Sequence, residues 1–318
     1  MLVLSCEIHI GKYIFNQIVD VEINSSYETL TDTAIITIPR KLSFEGKSLI
    51  LGKDSIFNKG DLVIINLGYG FENKKEVYRG YLNRMESGTP TKIYCEDLAF
   101  KLKETKPFNL SYSKLDIDTL LKDIIPSTIP YQTFGTIQLG KASFKKVTAA
   151  QILKYLDEEF SINSWFRDGK LYVGANYFLA LQQEYDFGFQ KNIIFDSLEY
   201  VRAEDIKYSV KDISILPNNS KIEVTKGDSE GAERTMHFYN ITKTELDNRA
   251  IKALNDFKHE GFTGSFMTFG EPSVHHGDII NITDKVFFEK DGRYICKAVK
   301  TNFGRDGYRQ EIYLAEKV

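Results

Sequence analysis

Gly60-Asp61-Leu62-Val63-Ile64-Ile65, in the first third of the chain, recurs near its end as Gly277-Asp278-Ile279-Ile280-Asn281-Ile282. Gly-Asp is turn chemistry, because glycine takes positive φ freely and aspartate bonds back to nearby backbone, and an apolar run launched from it reads as a strand. Each copy is followed at nearly the same spacing by a Tyr-led strand, Tyr78-Arg79-Gly80-Tyr81-Leu82 or Tyr294-Ile295-Cys296-Lys297-Ala298. A last strand then follows, Lys92-Ile93-Tyr94 or Glu311-Ile312-Tyr313. The repeat predicts an internal duplication in which residues 60–97 and 277–313 are equivalent three-stranded units. Gly60, Asp61, Gly277 and Asp278 are expected at matching turn positions, both glycines with φ above zero. One chain then supplies two similar barrels, and three chains close a ring of six.

Working outward, strict alternation returns in Leu2-Val3-Leu4-Ser5-Cys6-Glu7-Ile8, in Val19 to Ile23 and in Ala34 to Ile38, where Pro39 ends the ladder. With a looser stretch from Lys41 to Lys59, residues 1–104 read as a first tube-like β-barrel domain. The period changes after Thr105. Ile117, Leu120, Leu121 and Ile124 form a helical stripe stopped by Pro126, and a second helix runs from a Thr148 cap through Leu156. Asp168-Gly169 between two short apolar runs marks a tight hairpin. Residues 105–200 therefore read as a small α+β insert, expected to decorate the outside of an assembly and to be removable without unfolding the barrels. Residues 201–318 read as a second β-barrel domain with one helix, which starts in a Thr242-x-x-Glu245 capping box. A polar, Gly-rich loop is expected at Lys226 to Glu233. The fold class is mainly β with an α+β insert.

The chain has 318 residues, 41 Lys and Arg against 44 Asp and Glu, and a net charge of −3. This balance argues against gripping nucleic acid or an anionic membrane, which draws on surplus cations. Cys6, Cys95 and Cys296 have neither the number nor the spacing of a disulfide framework or a zinc site. Leu2 to Cys6 is too short for a secretory leader, and no apolar run spans a membrane, so synthesis in a bacterial cytoplasm and no membrane insertion are expected. His275 and His276 are adjacent, which on a strand sends them to opposite faces, and His9, His237 and His259 are scattered. Glu96-Asp97 and Glu158-Glu159 are adjacent carboxylates, whereas acid/base work needs two converging from different elements. Nucleophile-elbow, zinc-protease and phosphate-loop motifs do not occur. Aromatics beside charges at Tyr78-Arg79-Gly80-Tyr81 read as cross-strand pairs. No catalytic residue, metal site or cofactor is expected. From the residues alone a structural protein, a polymer-degrading enzyme and a carbohydrate- or protein-binding β module all stay open.

The order of these signals resembles the phage late control protein D family, the baseplate hub or tail-tip proteins of contractile tails, related to the hub portion of type VI secretion spike proteins. The residues that carry the resemblance are Asp32-Thr33-Ala34-Ile35-Ile36-Thr37-Ile38-Pro39, Gly60-Asp61 with its strand, Tyr78 to Leu82, and Tyr94-Cys95-Glu96-Asp97 leading to Leu102. Thr148 to Leu156 with Gly169-Lys170-Leu171-Tyr172-Val173 follows, then Gly270-Glu271-Pro272 to Gly277-Asp278 and Gly304 to Tyr313. Nearly the whole chain is covered in order. The resemblance implies a homotrimer whose paired barrels form a pseudo-sixfold ring, adapting a sixfold tail tube to a threefold spike in a virion tail baseplate or injection particle. It implies the tail tube protein, the spike protein and other baseplate proteins as partners, with DNA passing the lumen unbound. Departures are the long C-terminal spike extension and an appended lysozyme domain, neither of which this sequence contains, so the spike is expected to be a separate protein.

Overall fold

The alternation of apolar residues along Leu4–Ile10, Leu62–Tyr69 and Thr91–Glu96 sends Ile8, Ile10, Val63, Ile65 and Ile93 to one side, where all are fully buried. These strands come from a computed structural model that describes residues 3–44, 47–50, 56–70, 73–134, 137–160, 162–174, 183–202, 205, 207–216, 218, 220–257 and 260–318. Leu2 and His259 lie outside the described residues. Antiparallel pairing runs from Leu4–Ile10 through Leu62–Tyr69, Lys74–Glu86, Thr91–Glu96 and Thr33–Ile38 to Asp20–Ser26. Strands at both ends of this order, with Ile8 at one and Val21 and Ile23 at the other, bury their side chains in the same cluster. The sheet therefore curls around its core as a small barrel.

A second barrel unit follows the same plan. Ile279–Thr283 pairs with Gly292–Gly304, which pairs with Gly307–Lys317, the same antiparallel order as Leu62–Tyr69, Lys74–Glu86 and Thr91–Glu96. Ile280 and Ile282 take the places of Val63 and Ile65, buried with Phe187, Phe266, Cys296 and Ile312. Gly292–Gly304 also pairs with Asp20–Ser26, from Ala298 opposite Ser26 to Phe303 opposite Val21, so a single thirteen-stranded sheet runs through both barrels. Phe303 and Tyr308, from the second unit, sit in the first unit's core.

Between the barrels in sequence lies the insert, with helices α2 (Ile117–Ile124) and α3 (Ala149–Phe160), whose core also takes in Ala99 and Leu102 of the preceding short helix α1 (Ala99–Lys103). The Asp116 carboxylate accepts from the Thr119 amide at 2.8 Å and so caps α2. Thr148 and Gln151 exchange side-chain-to-backbone bonds at the start of α3. Leu120, Leu121, Ile152, Leu156, Leu171 and Val173 share one core. In the Asp168-Gly169 turn both residues have positive φ, 51° and 74°, which closes the hairpin of Asn163–Arg167 with Lys170–Gly174.

Several expectations need correction. Glu184–Gly188 and Ile193–Asp196, counted with the insert, pair with Ile279–Thr283 and Ser265–Phe269 of the second barrel. Tyr208–Ile215, Lys221–Gly227 and Ala232–Tyr239 form a separate sheet against α4 (Lys243–Phe257), with its own core of Val210, Val224, Leu246 and Ala250. Alternation reveals a strand but not which sheet it joins. The expected loop at Lys226 to Glu233 narrows to a tight turn over residues 228–231, closed by the Gly231 amide donating to the Asp228 carbonyl, between strands Lys221–Gly227 and Ala232–Tyr239. Thr242 and Glu245 do form the capping box that opens α4. Among the described residues no helix is long and apolar enough to cross a membrane.

Candidate functional site at the joint of the barrels

The two Gly-Asp turns have matching geometry. Gly60 has φ +91° and Gly277 φ +87°. The Asp61 amide donates to the Asn58 carbonyl at 3.1 Å, and the Asp278 amide to the His275 carbonyl at 3.1 Å. Each carboxylate returns the bond, Asp61 accepting from the Asn58 amide at 2.8 Å and Asp278 from the His275 amide at 2.9 Å. Each glycine amide reaches the Tyr-led strand, Gly60 to the Leu82 carbonyl at 2.7 Å and Gly277 to the Cys296 carbonyl at 2.6 Å. His275 and His276 thus belong to a turn, not to a strand as their adjacency suggested.

The surroundings differ. Asp61 is half-buried, while Asp278 is fully buried, and its Oδ1 accepts from Arg167 Nη2 at 2.7 Å and from the Gln183 amide at 3.2 Å. Arg167 also donates through Nη1 to the His276 carbonyl at 3.2 Å. It is the last residue of its strand in the insert hairpin, so Asp168-Gly169 aims it at the second barrel. Beside it Trp165 and Tyr172 stack with Phe134 and share a cluster with Tyr27, Ile279 and Ile295. An ion pair and an aromatic cluster form a socket that joins the insert to the barrels.

Next to this socket lies a cavity of about 390 Å³, lined among others by Asp32, Tyr78, Asp97, Arg167, His276 and Thr301. Asp32 sits just before strand Thr33–Ile38, where Oδ2 accepts from Ser25 Oγ at 2.6 Å and Oδ1 from the Ser26 amide at 3.1 Å. Asp97 ends the next strand over. Its Oδ1 accepts from the Ala99 amide at 3.0 Å and so starts α1, whereas its Oδ2 and the Tyr78 hydroxyl have no hydrogen-bond partner among the described residues. Burial pushes the Asp32 carboxyl up to about 7 and the Asp97 carboxyl well above its ordinary range, the latter also through the neighbouring Asp32 charge. Desolvation drives His276 down to about 3, and its Nε2 lies 3.9 Å from Asp32 Oδ2.

Two carboxylates from different elements do converge here, the arrangement that adjacent pairs in sequence could not supply. Both are engaged in holding backbone, and Asp97 is only 7% exposed. Glu96 points elsewhere, accepting from Lys103 and Asn83 at 2.8 Å. Glu158 pairs with Lys154 on the surface of α3. Among the described residues no group of three or more His, Cys, Asp or Glu has the geometry to hold a metal ion. Asp32 and Asp97 open and close two of the motifs in the sequence, yet nothing in their spacing announces that strands Thr33–Ile38 and Thr91–Glu96 pair and bring them together.

No protein-family model matches the sequence, and no curated protein matches it either. Solved structures do match its fold. A tail protein from Neisseria meningitidis MC58 superposes with a TM-score of 0.68 at 16% identity, over 98% of this chain and 96% of that one. A 43 kDa tail protein of prophage MuSo2 from Shewanella oneidensis gives 0.59 at 14% identity over 98% and 97%. A component of the E. coli type VI secretion system, described as similar in structure to bacteriophage T4 tail proteins, gives 0.56 at 9% identity over 99% and 76%. Over nearly its whole length the chain shares the fold of the two tail proteins and of about three quarters of the secretion component.

Proposed function

We propose that this protein is a structural hub of a phage tail, prophage or related contractile injection particle, adapting a sixfold tail tube to a threefold spike. The observation that carries the reading is the pair of like barrels fused by one sheet, in a fold that matches solved tail proteins from end to end. A protein with a doubled barrel meets both symmetries: three copies present three whole chains to the spike and six barrels to the tube. Tube, spike and neighbouring baseplate proteins are then its partners, its place is the tail, and DNA passes its lumen without being held. A lumen that lets duplex DNA pass is lined by neutral and acidic groups, since a cationic wall would release counterions and retain the phosphates. The role calls for no catalytic residue, and the converging pair Asp32 and Asp97 reads as part of the joint, each carboxylate tied to backbone.

Measuring mass in solution, with class averages of negatively stained particles, tests the reading. A trimeric ring with threefold symmetry and a six-lobed outline is the expected result. A strict monomer at every concentration, both alone and mixed with its tube and spike neighbours, overturns it.

A further inference from the structure

We infer that the cavity beside the joint is a recognition site for a cationic hydrogen-bond donor, a primary ammonium group of the lysine or polyamine type. Three kinds of observation converge on this chemistry, and none depends on the hub reading. The first is charge: the lining holds four carboxylates, Asp32, Glu76, Asp97 and Asp168, against two guanidinium groups, Arg79 and Arg167. Arg79 and Glu76 hold one another and Arg167 is held by Asp278, which leaves Asp32 and Asp97 as the inner acids without a cation of their own. Lys103, whose charge acts on Asp97, is held by Glu96 at 2.8 Å. The second is unmet acceptor capacity: Asp97 Oδ2 and the Tyr78 hydroxyl, on residues only 7% and 6% exposed, have no partner among the described residues. Burying a polar atom without a partner is costly, so a donor entering here gains what the empty site lacks.

The third is shape. Gly80 makes room for the Tyr78 hydroxyl, since a Cβ there would come within 2.6 Å of it. The acceptors belong to separate residues, Asp32 and Asp97 arriving from different strands and Tyr78 from a third. A compact ammonium with three rotatable donors suits such scattered acceptors, while a planar guanidinium wants a carboxylate presented as a fork.

Other titratable groups facing the cavity are Glu76, Arg79, His275 and His276, with Arg167 and Asp168 from the hairpin. His276 stays neutral through desolvation and does not compete as a cation. Because burial raises the Asp32 carboxyl to about 7 and the Asp97 carboxyl well above its ordinary range, an entering cation displaces a proton, and affinity rises with pH.

Calorimetric titration of the full chain with n-butylammonium tests the site, with tetramethylammonium as a cation that cannot donate. The expected result is saturable n-butylammonium binding, weakened at least about tenfold by Asp97→Asn and by Asp32→Asn. Binding is expected to be tighter at about pH 8 than at about pH 5 and to release a proton. Asp97→Asn keeps the side-chain oxygen that caps α1, and Tyr78→Phe, which removes only the hydroxyl, provides a second variant expected to bind more weakly. Saturable binding with spermidine at least about tenfold tighter than n-butylammonium assigns the site to a free polyamine, and equal affinities assign it to a lysine side chain of a partner. The inference is overturned by absence of saturable binding at any of these pH values, by unchanged affinity in both Asp97→Asn and Tyr78→Phe, or by tetramethylammonium binding as well as n-butylammonium.

Discussion

The turns at Gly60-Asp61 and Gly277-Asp278 share backbone angles and hydrogen bonds, yet one faces a partly solvated rim and the other anchors a buried ion pair. Near Gly60 the neighbour is the Phe100 ring of α1, 3.8 Å from where a Cβ would stand. Near Gly277 it is Arg167, brought in by the insert hairpin. The difference teaches that the turn is a scaffold with a carboxylate available at a fixed place. In the first barrel, among the described residues, that carboxylate closes its own turn; in the second it also fastens a separate unit. Backbone repetition is therefore compatible with unequal roles.

The largest expected effect sharpens this contrast. Arg167→Ala leaves Asp278 buried without its counter-charge, which costs about 3–5 kcal/mol in chemical or thermal unfolding. Asp61→Ala removes a carboxylate bond to the Asn58 amide at a half-buried turn and costs about 1 kcal/mol. Removing both charges in an Arg167→Met, Asp278→Asn double variant recovers part of the loss, because no uncompensated charge remains. If Arg167→Ala and Asp61→Ala prove equally mild, the insert is not fastened through Asp278 and the comparison fails.

A second effect separates the acids and the histidine of the joint by the sign of their pH dependence. Asp32 holds its proton up to about 7 in the folded chain against 3.8 unfolded, so its contribution to stability is complete below pH 3.8 and is lost as pH rises to about 7. His276 is opposite: lowered from 6.5 to about 3, it contributes stability above 6.5 that is lost as pH falls to about 3. Each swing amounts to at most about 4 to 5 kcal/mol, and within the wild type the two oppose one another. Relative to wild type, Asp32→Asn is expected to gain stability as pH rises through its window, and His276→Gln to gain as pH falls through its own. Unfolding free energies measured across pH for the three proteins check this. Parallel curves would mean that neither group is desolvated by the joint.

Much of the frame was legible in the sequence because period-2 alternation and turn residues are local. Val63, Ile65, Ile280 and Ile282 announce two barrel cores, and Thr242 with Glu245 announces the start of α4. What was not legible depends on which surfaces meet. Glu184–Gly188 carries alternation but no statement that it will pair with Ile279–Thr283. Arg167 reads as an ordinary charged strand end until the hairpin turns it toward Asp278. Asp32 and Asp97 become neighbours only because Thr33–Ile38 and Thr91–Glu96 pair, with Thr33 opposite Glu96. Short helix α1, which the alternation hides, starts on the Asp97 carboxylate.

The smallest effect concerns what the two turns keep in common. At φ near +90° an L-residue is strained by its Cβ against the backbone, whereas glycine is not, so alanine at either position costs about 1–2 kcal/mol. At Gly60 the nearest side-chain atom to a new Cβ would be 3.8 Å away, an ordinary contact, which leaves the backbone strain as the whole cost. If the turns are equivalent in backbone, Gly60→Ala and Gly277→Ala should destabilise by nearly the same amount, even though Asp61 and Asp278 respond very differently to substitution. Equal small losses at the glycines beside unequal losses at Arg167 and Asp61 would separate the shared scaffold from the added fastening. A Gly277→Ala loss as large as that of Arg167→Ala would instead mean that the backbone of the second turn is itself part of the socket, held by the Arg167 bond to the His276 carbonyl. Equilibrium unfolding of the single variants, side by side, decides between the two.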